Sequence, residues 1–226
     1  GAFASFKVPV ALVEKIILKG LPLAANETLW SLGLTMLNQS FSLRGLAVVA
    51  AINITNTIAN LFNVFLFAIG ESISILAGQL LGAGKKEEAK STANRMIALS
   101  AIVSTFVGIV LIFCRNLFPA FYNTETEVKE FASNFILQTG AFLPILAIVH
   151  GCYFTLRSGG KTFITFLFDS VFIWVFIVPT AFALTRFTAM GIIMIYFIVK
   201  ALDMIKCAIG IYLIKKGVWV NNMVSN

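Results

Sequence analysis

Six stretches of the sequence are long and apolar enough to restrict how the chain can fold. They cover residues 16–41, 46–81, 93–118, 131–156, 163–184 and 189–214. About 20 apolar residues in a helix cross the roughly 30 Å hydrocarbon core of a bilayer. An open sheet would leave backbone groups unpaired in lipid, and these stretches are much longer than membrane-barrel strands. The sequence therefore predicts an all-α integral membrane protein, with residues 1–226 forming a single bundle of six transmembrane helices.

The composition agrees with a lipid environment. Only 12% of the residues are charged, whereas a soluble domain carries about 25%. A net charge of +7 alone could suggest nucleic acid, but the basic residues stand in short clusters between apolar stretches, as topology signals do. We therefore expect the lipid bilayer as a partner, and no nucleic acid.

The loop charges predict an orientation. Eleven basic residues fall on one side of such a bundle and four on the other. The positive-inside rule then places both termini in the cytoplasm of a multi-pass plasma-membrane protein. This arrangement needs an even number of crossings. The second stretch, about 54 Å long as a helix, is therefore interpreted as one tilted helix with a bend expected at Gly70.

Polar side chains inside the first stretch predict a cavity. A charge at the centre of a bilayer costs at least about 2.5–3.5 kcal/mol, so such residues face the protein interior. Glu27 lies near the predicted midplane, and Ser31, Thr35 and Asn38 follow it at helical spacing. The functional interpretation is a water-accessible wall on which Glu27 binds a proton, a sodium ion or a cationic substrate. Hydrogen bonding between helices is the alternative.

The second stretch carries a ladder of amides. Its members recur at spacings of three, four and three residues, and they are Asn53, Asn56, Asn60 and Asn63. Glu71 follows Asn53 by five whole turns and therefore shares its face. This pattern predicts the wall of a hydrated cavity, with Glu71 either lining it or pairing with a basic residue as a gate. Packing between helices is the alternative, and Gly78 and Gly82 supply a small-residue contact for it.

Further polar residues in the later stretches are secondary candidates. Asp169 lies one turn after Thr165 in the fifth stretch. His150 is the only histidine, and a proton relay and a packing role are both open. Asp203 lies three residues from both Lys200 and Lys206, and local ion pairing is its expected role.

Motifs of enzyme chemistry are missing from the sequence. It contains no H-E-x-x-H, CxxC or G-x-x-x-x-G-K-[ST] pattern and no G-x-S-x-G elbow. Cys114, Cys152 and Cys207 form an odd set without disulfide spacing. We therefore expect no enzyme activity, no cofactor and no bound metal.

Three motifs in register suggest a family. Leu21-Pro22 precedes Asn26-Glu27, Gly78-Gln-Leu-Leu-Gly-Ala-Gly84 ends the long second stretch, and Leu156-Arg-Ser-Gly-Gly-Lys-Thr162 joins the fourth and fifth. Together they resemble the C-terminal, six-helix lobe of multidrug and toxic compound extrusion (MATE) transporters over nearly the whole chain.

The resemblance implies secondary active multidrug efflux. A twelve-helix antiporter of two lobes would exchange H⁺ or Na⁺ for small organic, often cationic, compounds by alternating access. This chain would supply helices seven to twelve, and a separate N-terminal six-helix lobe is expected. Trp30 occupies the place of a cation-binding Glu in some family members, and Leu146 lies near the place of an acid in others. The resemblance therefore puts the ion site mainly in the N-terminal lobe and does not assign Na⁺ against H⁺.

Two other functions stay open. A lipid-linked saccharide flippase of the same superfamily would need a more basic cavity, and the sequence has no midplane Arg or Lys outside the last stretch. A non-transporting six-helix membrane module is compatible with the length of the chain.

Overall fold

The computed structural model describes residues 10–220, and every regular element in that part is helical. The helices are α1 (Val10–Ser42), α2 (Leu46–Gly82), α3 (Lys86–Phe113), the short α4 (Leu117–Ala120), α5 (Thr126–Ser158), α6 (Thr162–Phe187) and α7 (Ile192–Lys216). Six of them are long, and the all-helical membrane fold predicted from the sequence is confirmed.

Four of the long helices, α2, α3, α5 and α6, are apolar enough to cross a membrane by length and composition alone. Helix α7 does not meet this composition criterion because Lys200, Asp203 and Lys206 lie within it. Helix α1 does not meet it because polar residues around Glu27 lower its hydropathy. Helices α1 and α7 therefore carry many of the polar and charged side chains within the bundle.

Helix α3 differs most from its predicted bounds. It begins at Lys86, seven residues earlier than predicted, because its first turn is charged and escapes a hydropathy criterion. Glu87 and Glu88 favour a helix start through the macrodipole, and they pair with Lys90 at 2.7 Å and Lys85 at 3.1 Å. The helix ends at Phe113, before the predicted residue 118, and α4 follows as a separate turn.

The loops that carry the two glycine-rich motifs lie at one end of the bundle. Gly84 and Gly160 adopt positive φ angles of 76° and 67° there, a conformation that glycine adopts at no steric cost. Gly159 packs directly against the carbonyl of Trp219, whose side chain is fully buried. At the opposite end, Arg44 donates hydrogen bonds to the carbonyls of Leu184, at 3.1 Å, and Thr188, at 2.6 Å.

Glycines allow close helix contacts around α5. A Cβ atom on Gly140 would lie 2.8 Å from the carbonyl oxygen of Gly108, so the backbones of α5 and α3 touch. Gly70 of α2 lies against the ring of Phe154, and α2 continues through it as one helix of 37 residues.

The small-residue contact at Gly78 and Gly82, which would support the packing alternative, is not formed in the described part of the chain. At both positions no described atom lies within 4 Å of where a Cβ would stand. The described residues therefore do not support that alternative, because G-x-x-x-G spacing states only that two glycines share a face, not which face packs.

Helix α6 is irregular in its middle. Leu167–Val171 and Ile173–Ile177 form wide π-helical turns, which are rare and frequently occur at functional sites. Hydrogen bonds donated by two side chains, Ser170 and Trp174, join this region to α1. Ser170 Oγ donates to the side-chain oxygen of Asn26 at 2.7 Å, and Trp174 Nε1 donates to the carbonyl of Leu29 at 2.9 Å.

Candidate functional site

A central cavity of about 390 Å³ lies among α1, α2, α5, α6 and α7. Its amide lining comprises Asn38, Asn56, Asn60 and Asn63, and its charged lining comprises Asp169, Lys200, Asp203 and Lys206. Aromatic and aliphatic side chains, including Trp30 and Leu146, complete the wall. A cavity of this kind, largely apolar with a few convergent amides and charges, can hold water or a small amphipathic ligand.

A second cavity of about 450 Å³ adjoins the first. Its formally charged lining is mostly acidic, with Glu27, Glu71 and Asp169 beside Arg157. Trp30, Phe67, His150 and Asp169 line both cavities, so the two spaces meet at these four side chains.

Asp169 and Lys206 form a buried ion pair at this junction. Lys206 Nζ lies 2.6 Å from Asp169 Oδ1, and both residues are less than 10% exposed. The Lys206 ammonium also lies over the rings of Phe168 and Phe172, at 5.3 and 5.8 Å from their centroids. A charge-assisted hydrogen bond and two cation–π contacts therefore hold the ammonium.

This pairing differs from the local one predicted for Asp203. Lys206 bonds to a carboxylate 37 residues away on α6, and among the described side chains Asp203 has no ion pair within 4 Å. The three-residue spacing of Asp203 and Lys206 makes them neighbours on one helix face, but the packing of α6 against α7 brings Asp169 closer.

Glu27 belongs to a hydrogen-bonded chain that joins three helices. Tyr153 of α5 donates to Glu27 Oε1 at 2.7 Å and accepts a bond of 3.3 Å from Asn26 Nδ2. Ser170 of α6 donates in turn to Asn26. Glu27 itself is exposed toward the second cavity, so its carboxylate is positioned on one side and free on the other.

Glu71 has a basic neighbour, as a gate would require. Arg157 Nη1 lies 3.6 Å from Glu71 Oε1 at the edge of the second cavity, and Arg157 also stacks over Phe154. The Glu71 side chain is 54% exposed and that of Arg157 29%, so the described part of the chain leaves the pair uncovered. An ion pair of this exposure contributes little to stability and can separate easily.

Two buried polar atoms in the central cavity have no hydrogen-bond partner among the described residues. They are Asn63 Oδ1 and His150 Nδ1. The His150 ring stacks on Phe67 with a centroid distance of 5.0 Å, which fixes its orientation at the junction. Buried polar atoms are normally bonded, so these two are places where a ligand or water would be accommodated.

Three predicted site residues lie outside both cavities. Ser31, Thr35 and Asn53 are exposed, and the Thr35 hydroxyl bonds to the carbonyl of Ser31. Four-residue spacing overshoots a helical turn by about 40°, so Thr35 lies about 80° from Glu27 around α1. Asn38 returns to within about 20° of Glu27, and it lines the central cavity.

Several site residues were missed from the sequence. Lys200 and Lys206 were considered only as local ion-pair partners of Asp203, although the rule that placed Glu27 in the interior applies equally to them. Tyr153 and Ser170 carry no such signal because hydroxyl groups are common in membrane helices. In the same way, the sequence does not reveal the 3.1 Å bond between Thr139 and Tyr196 in the central cavity.

The described helices contain no cluster of side chains suited to bind a metal ion. No group of three or more His, Cys, Asp or Glu side chains lies close enough to hold a metal ion in residues 10–220.

The fold is that of a membrane-transporter lobe. It matches the structure described as MATE in complex with MaL6 with a TM-score of 0.83 at 15% identity, covering 93% of this chain and 48% of that one. A MOP superfamily transporter from Pyrococcus furiosus, whose description mentions a binding pocket of reverse polarity, matches with a TM-score of 0.75 at 16% identity.

The sequence agrees with the fold. The MatE family model matches residues 22–183, and the chain belongs to this family, as predicted. The probable multidrug resistance protein NorM of Thermotoga maritima is 23% identical over 180 residues, which are 80% of this chain and 39% of that protein. Its counterpart in Listeria innocua is 24% identical over 196 residues, 84% of this chain and 42% of that protein. The chain thus spans about four-tenths of the length of the curated relatives it matches.

Proposed function

We propose that this chain is half of a secondary active transporter that exports small organic, often cationic, compounds in exchange for H⁺ or Na⁺ by alternating access. The observation that carries the proposal is the meeting of two cavities at Asp169, with Glu27 and Glu71 lining the second. Carboxylates that face a cavity inside a membrane bundle are suited to bind cations. Placing a charged group within the membrane costs free energy, so such residues are usually functional.

The second cavity is suited to positive charge. Of its three carboxylates, Asp169 is paired with Lys206 and Glu71 lies beside Arg157, so Glu27 leaves a formal excess of one negative charge. Trp30, Phe67 and Phe154 add ring faces on which an organic cation can stack. We infer that Glu27 is occupied alternately by the coupling ion and the substrate, with the amides Asn56, Asn60 and Asn63 as polar wall.

A second lobe is part of the proposal. The chain covers 48% of the MATE structure it matches, and the motifs at Gly78–Gly84 and Leu156–Thr162 support assignment to the C-terminal lobe. We propose that an N-terminal six-helix lobe closes the cavities from the other side. Both termini would be cytoplasmic in the plasma membrane, which the loop charges support.

An anionic substrate is the second candidate, and one observation favours it. Lys200 and Lys206 line the central cavity, where a flippase for lipid-linked saccharides would need basic groups. Asp169 and Asp203 line the same space, however, so the four charges formally cancel. We therefore place the cationic substrate first.

The test is gradient-driven efflux from vesicles that carry the full-length protein. Ethidium is expected to move against its gradient when a Na⁺ or proton gradient is imposed, to stop when an ionophore collapses that gradient, and to be recovered chemically unchanged. Ethidium movement that ignores both gradients, or none at all, would contradict the proposal. Movement of a fluorescent lipid-linked anion instead would favour the flippase.

A further inference from the structure

We propose that Lys206 is a tethered internal cation that occupies Asp169 in the empty transporter, and that an incoming cation binds Asp169 by displacing it. This inference rests on the proposed function and names how one site within it is regulated. No ligand is needed to satisfy Asp169 while Lys206 is bound, so the lobe can rest empty without an uncompensated buried carboxylate.

The geometry of the pair supports exchange rather than a permanent lock. Among the described residues, the carboxylate of Asp169 accepts one hydrogen bond, from Lys206 to Oδ1. Asp169 lines both cavities, so a ligand can reach it from either space. A buried ion pair that serves stability alone needs further hydrogen bonds to satisfy its remaining polar groups, and this one instead borders a cavity of about 390 Å³.

The displaced ammonium has a place to go. The ammonium of Lys206 lies over the rings of Phe168 and Phe172 as well as against Asp169, and neither ring contact requires the carboxylate. Lys206 also lines the central cavity, which contains a second carboxylate, that of Asp203, one turn away along α7.

Asp169 lies in the first π-helical stretch of α6, Leu167–Val171. A wide turn loosens the regular backbone ladder, and such turns are frequent where a side chain has to be presented to a ligand. The irregular backbone and the buried charge therefore fall on the same residue.

Other charged groups surround the pair and share its electrostatics. His150 of α5 and Lys200 and Asp203 of α7 face it in the central cavity, and Glu27, Glu71 and Arg157 face the second cavity. The ligand that replaces the Lys206 ammonium at Asp169 is a cation. It can be either the coupling ion or the organic substrate.

The experiment measures binding and transport separately on the full-length protein. Ethidium binding is followed by fluorescence polarisation and sodium binding with ²²Na⁺ on detergent-purified protein, and proton release is recorded in the same samples. The variants are Lys206→Met, Lys206→Arg, Asp169→Asn and the double variant of Asp169→Asn with Lys206→Met. Lys215→Met, an exposed lysine in the last turn of the same helix, is the matched control.

Removing the internal cation is expected to tighten cation binding. Lys206→Met should bind ethidium or ²²Na⁺ at least tenfold more tightly than the wild type, or take up protons that the wild type does not. The ligand that binds more tightly to Lys206→Met, whether ethidium, Na⁺ or the proton, is the cation that competes with Lys206 in the wild type. Lys206→Arg and Lys215→Met should stay near the wild-type affinity, and Asp169→Asn should lose this binding.

The double variant keeps the test decisive if a single variant fails to fold, because it buries no unpaired charge. It is expected to reach wild-type abundance and to show no gradient-driven efflux. Wild-type efflux by the double variant, or wild-type affinity of Lys206→Met for every cation, would overturn the inference and leave the proposed function standing. If the wild type itself moves no organic cation, the proposed function fails, and the binding measurements still decide the role of Lys206.

Discussion

The Tyr153 hydroxyl donates a hydrogen bond of 2.7 Å to Glu27 Oε1 and so joins α5 to α1 at the wall of the second cavity. The same hydroxyl accepts a bond from Asn26, which is bonded to Ser170 of α6. The Tyr153 hydroxyl therefore positions the Glu27 carboxylate, the first candidate site residue in the sequence. Through these bonds the position of Glu27 depends on α1, α5 and α6.

Glu27→Gln should abolish most of the efflux without affecting folding. The amide keeps the shape of the side chain and a hydrogen-bond acceptor for Tyr153 but cannot hold a cation. Charged hydrogen bonds contribute about 1.5–3 kcal/mol, so a loss of about tenfold or more in efflux rate is expected. The measurement is ethidium efflux normalised to membrane abundance, with Glu14→Gln on the exposed face of α1 as control. Unchanged efflux would remove Glu27 from the mechanism.

Tyr153→Phe separates the placement of Glu27 from its charge. The variant loses the bonds to Glu27 and Asn26 but keeps the ring and the carboxylate. A lost hydrogen bond costs about 0.5–1.5 kcal/mol, so a modest fall in the thermal midpoint of the purified protein is expected. Efflux should fall less than in Glu27→Gln. A larger loss than in Glu27→Gln would show that the hydroxyl contacts the substrate itself.

The amide ladder should divide into lining and non-lining members. Asn60 lines the central cavity, whereas Asn53 is exposed away from it. Asn60→Ala is expected to weaken ethidium binding by about three- to tenfold, the equivalent of one hydrogen bond, with Asn53→Ala near the wild type. Equal losses at both positions would indicate that the whole ladder faces the transport pathway in the full-length protein.

The Glu71–Arg157 pair should act on transport rather than on stability. Exposed ion pairs contribute about 0–1 kcal/mol, so Glu71→Arg and Arg157→Glu are each expected to leave the thermal midpoint nearly unchanged. Each reversal should impair efflux, and the two combined should restore a large part of it if the pair opens and closes as a gate. Additive losses in the double variant would argue against a gate.

Gly140→Ala should destabilise the lobe because the new methyl group would meet the backbone of Gly108. Overpacking of this kind costs about 1–3 kcal/mol, which thermal unfolding in detergent would detect. Gly78→Ala is the matched control, since the space around Gly78 is open among the described residues. A loss at Gly78 of similar size would place that face against another part of the full-length protein.

The helices themselves were largely predictable because hydrocarbon thickness sets both their length and their apolar content. The boundaries failed where charged turns continue a helix into water, as at Lys86 of α3. A hydropathy rule cannot detect such turns, because their stability comes from ion pairs and the macrodipole.

The site was predictable only in part. Glu27, Glu71 and Asp169 follow from the expense of burying a charge, and the structure places all three on the second cavity. The partner of Asp169 could not be inferred, because the three-residue spacing of Asp203 and Lys206 suggested a local pair while helix packing produced a distant one. Spacing along one helix reports shared faces, and only the crossing of two helices decides which faces meet.

The contact between Gly108 and Gly140 has a mechanical consequence. Because their backbones touch at this crossing, we expect α3 and α5 to resist sliding past one another and to act as the stiffer part of the lobe. Helices α1 and α6 are fastened to each other through Ser170 with Asn26 and through Trp174 with the Leu29 carbonyl. We expect any widening of the cavities to occur by a swing of α1 and α6 together, a motion that must break the bonds of Tyr153 to Glu27 and Asn26 and the pair of Asp169 with Lys206.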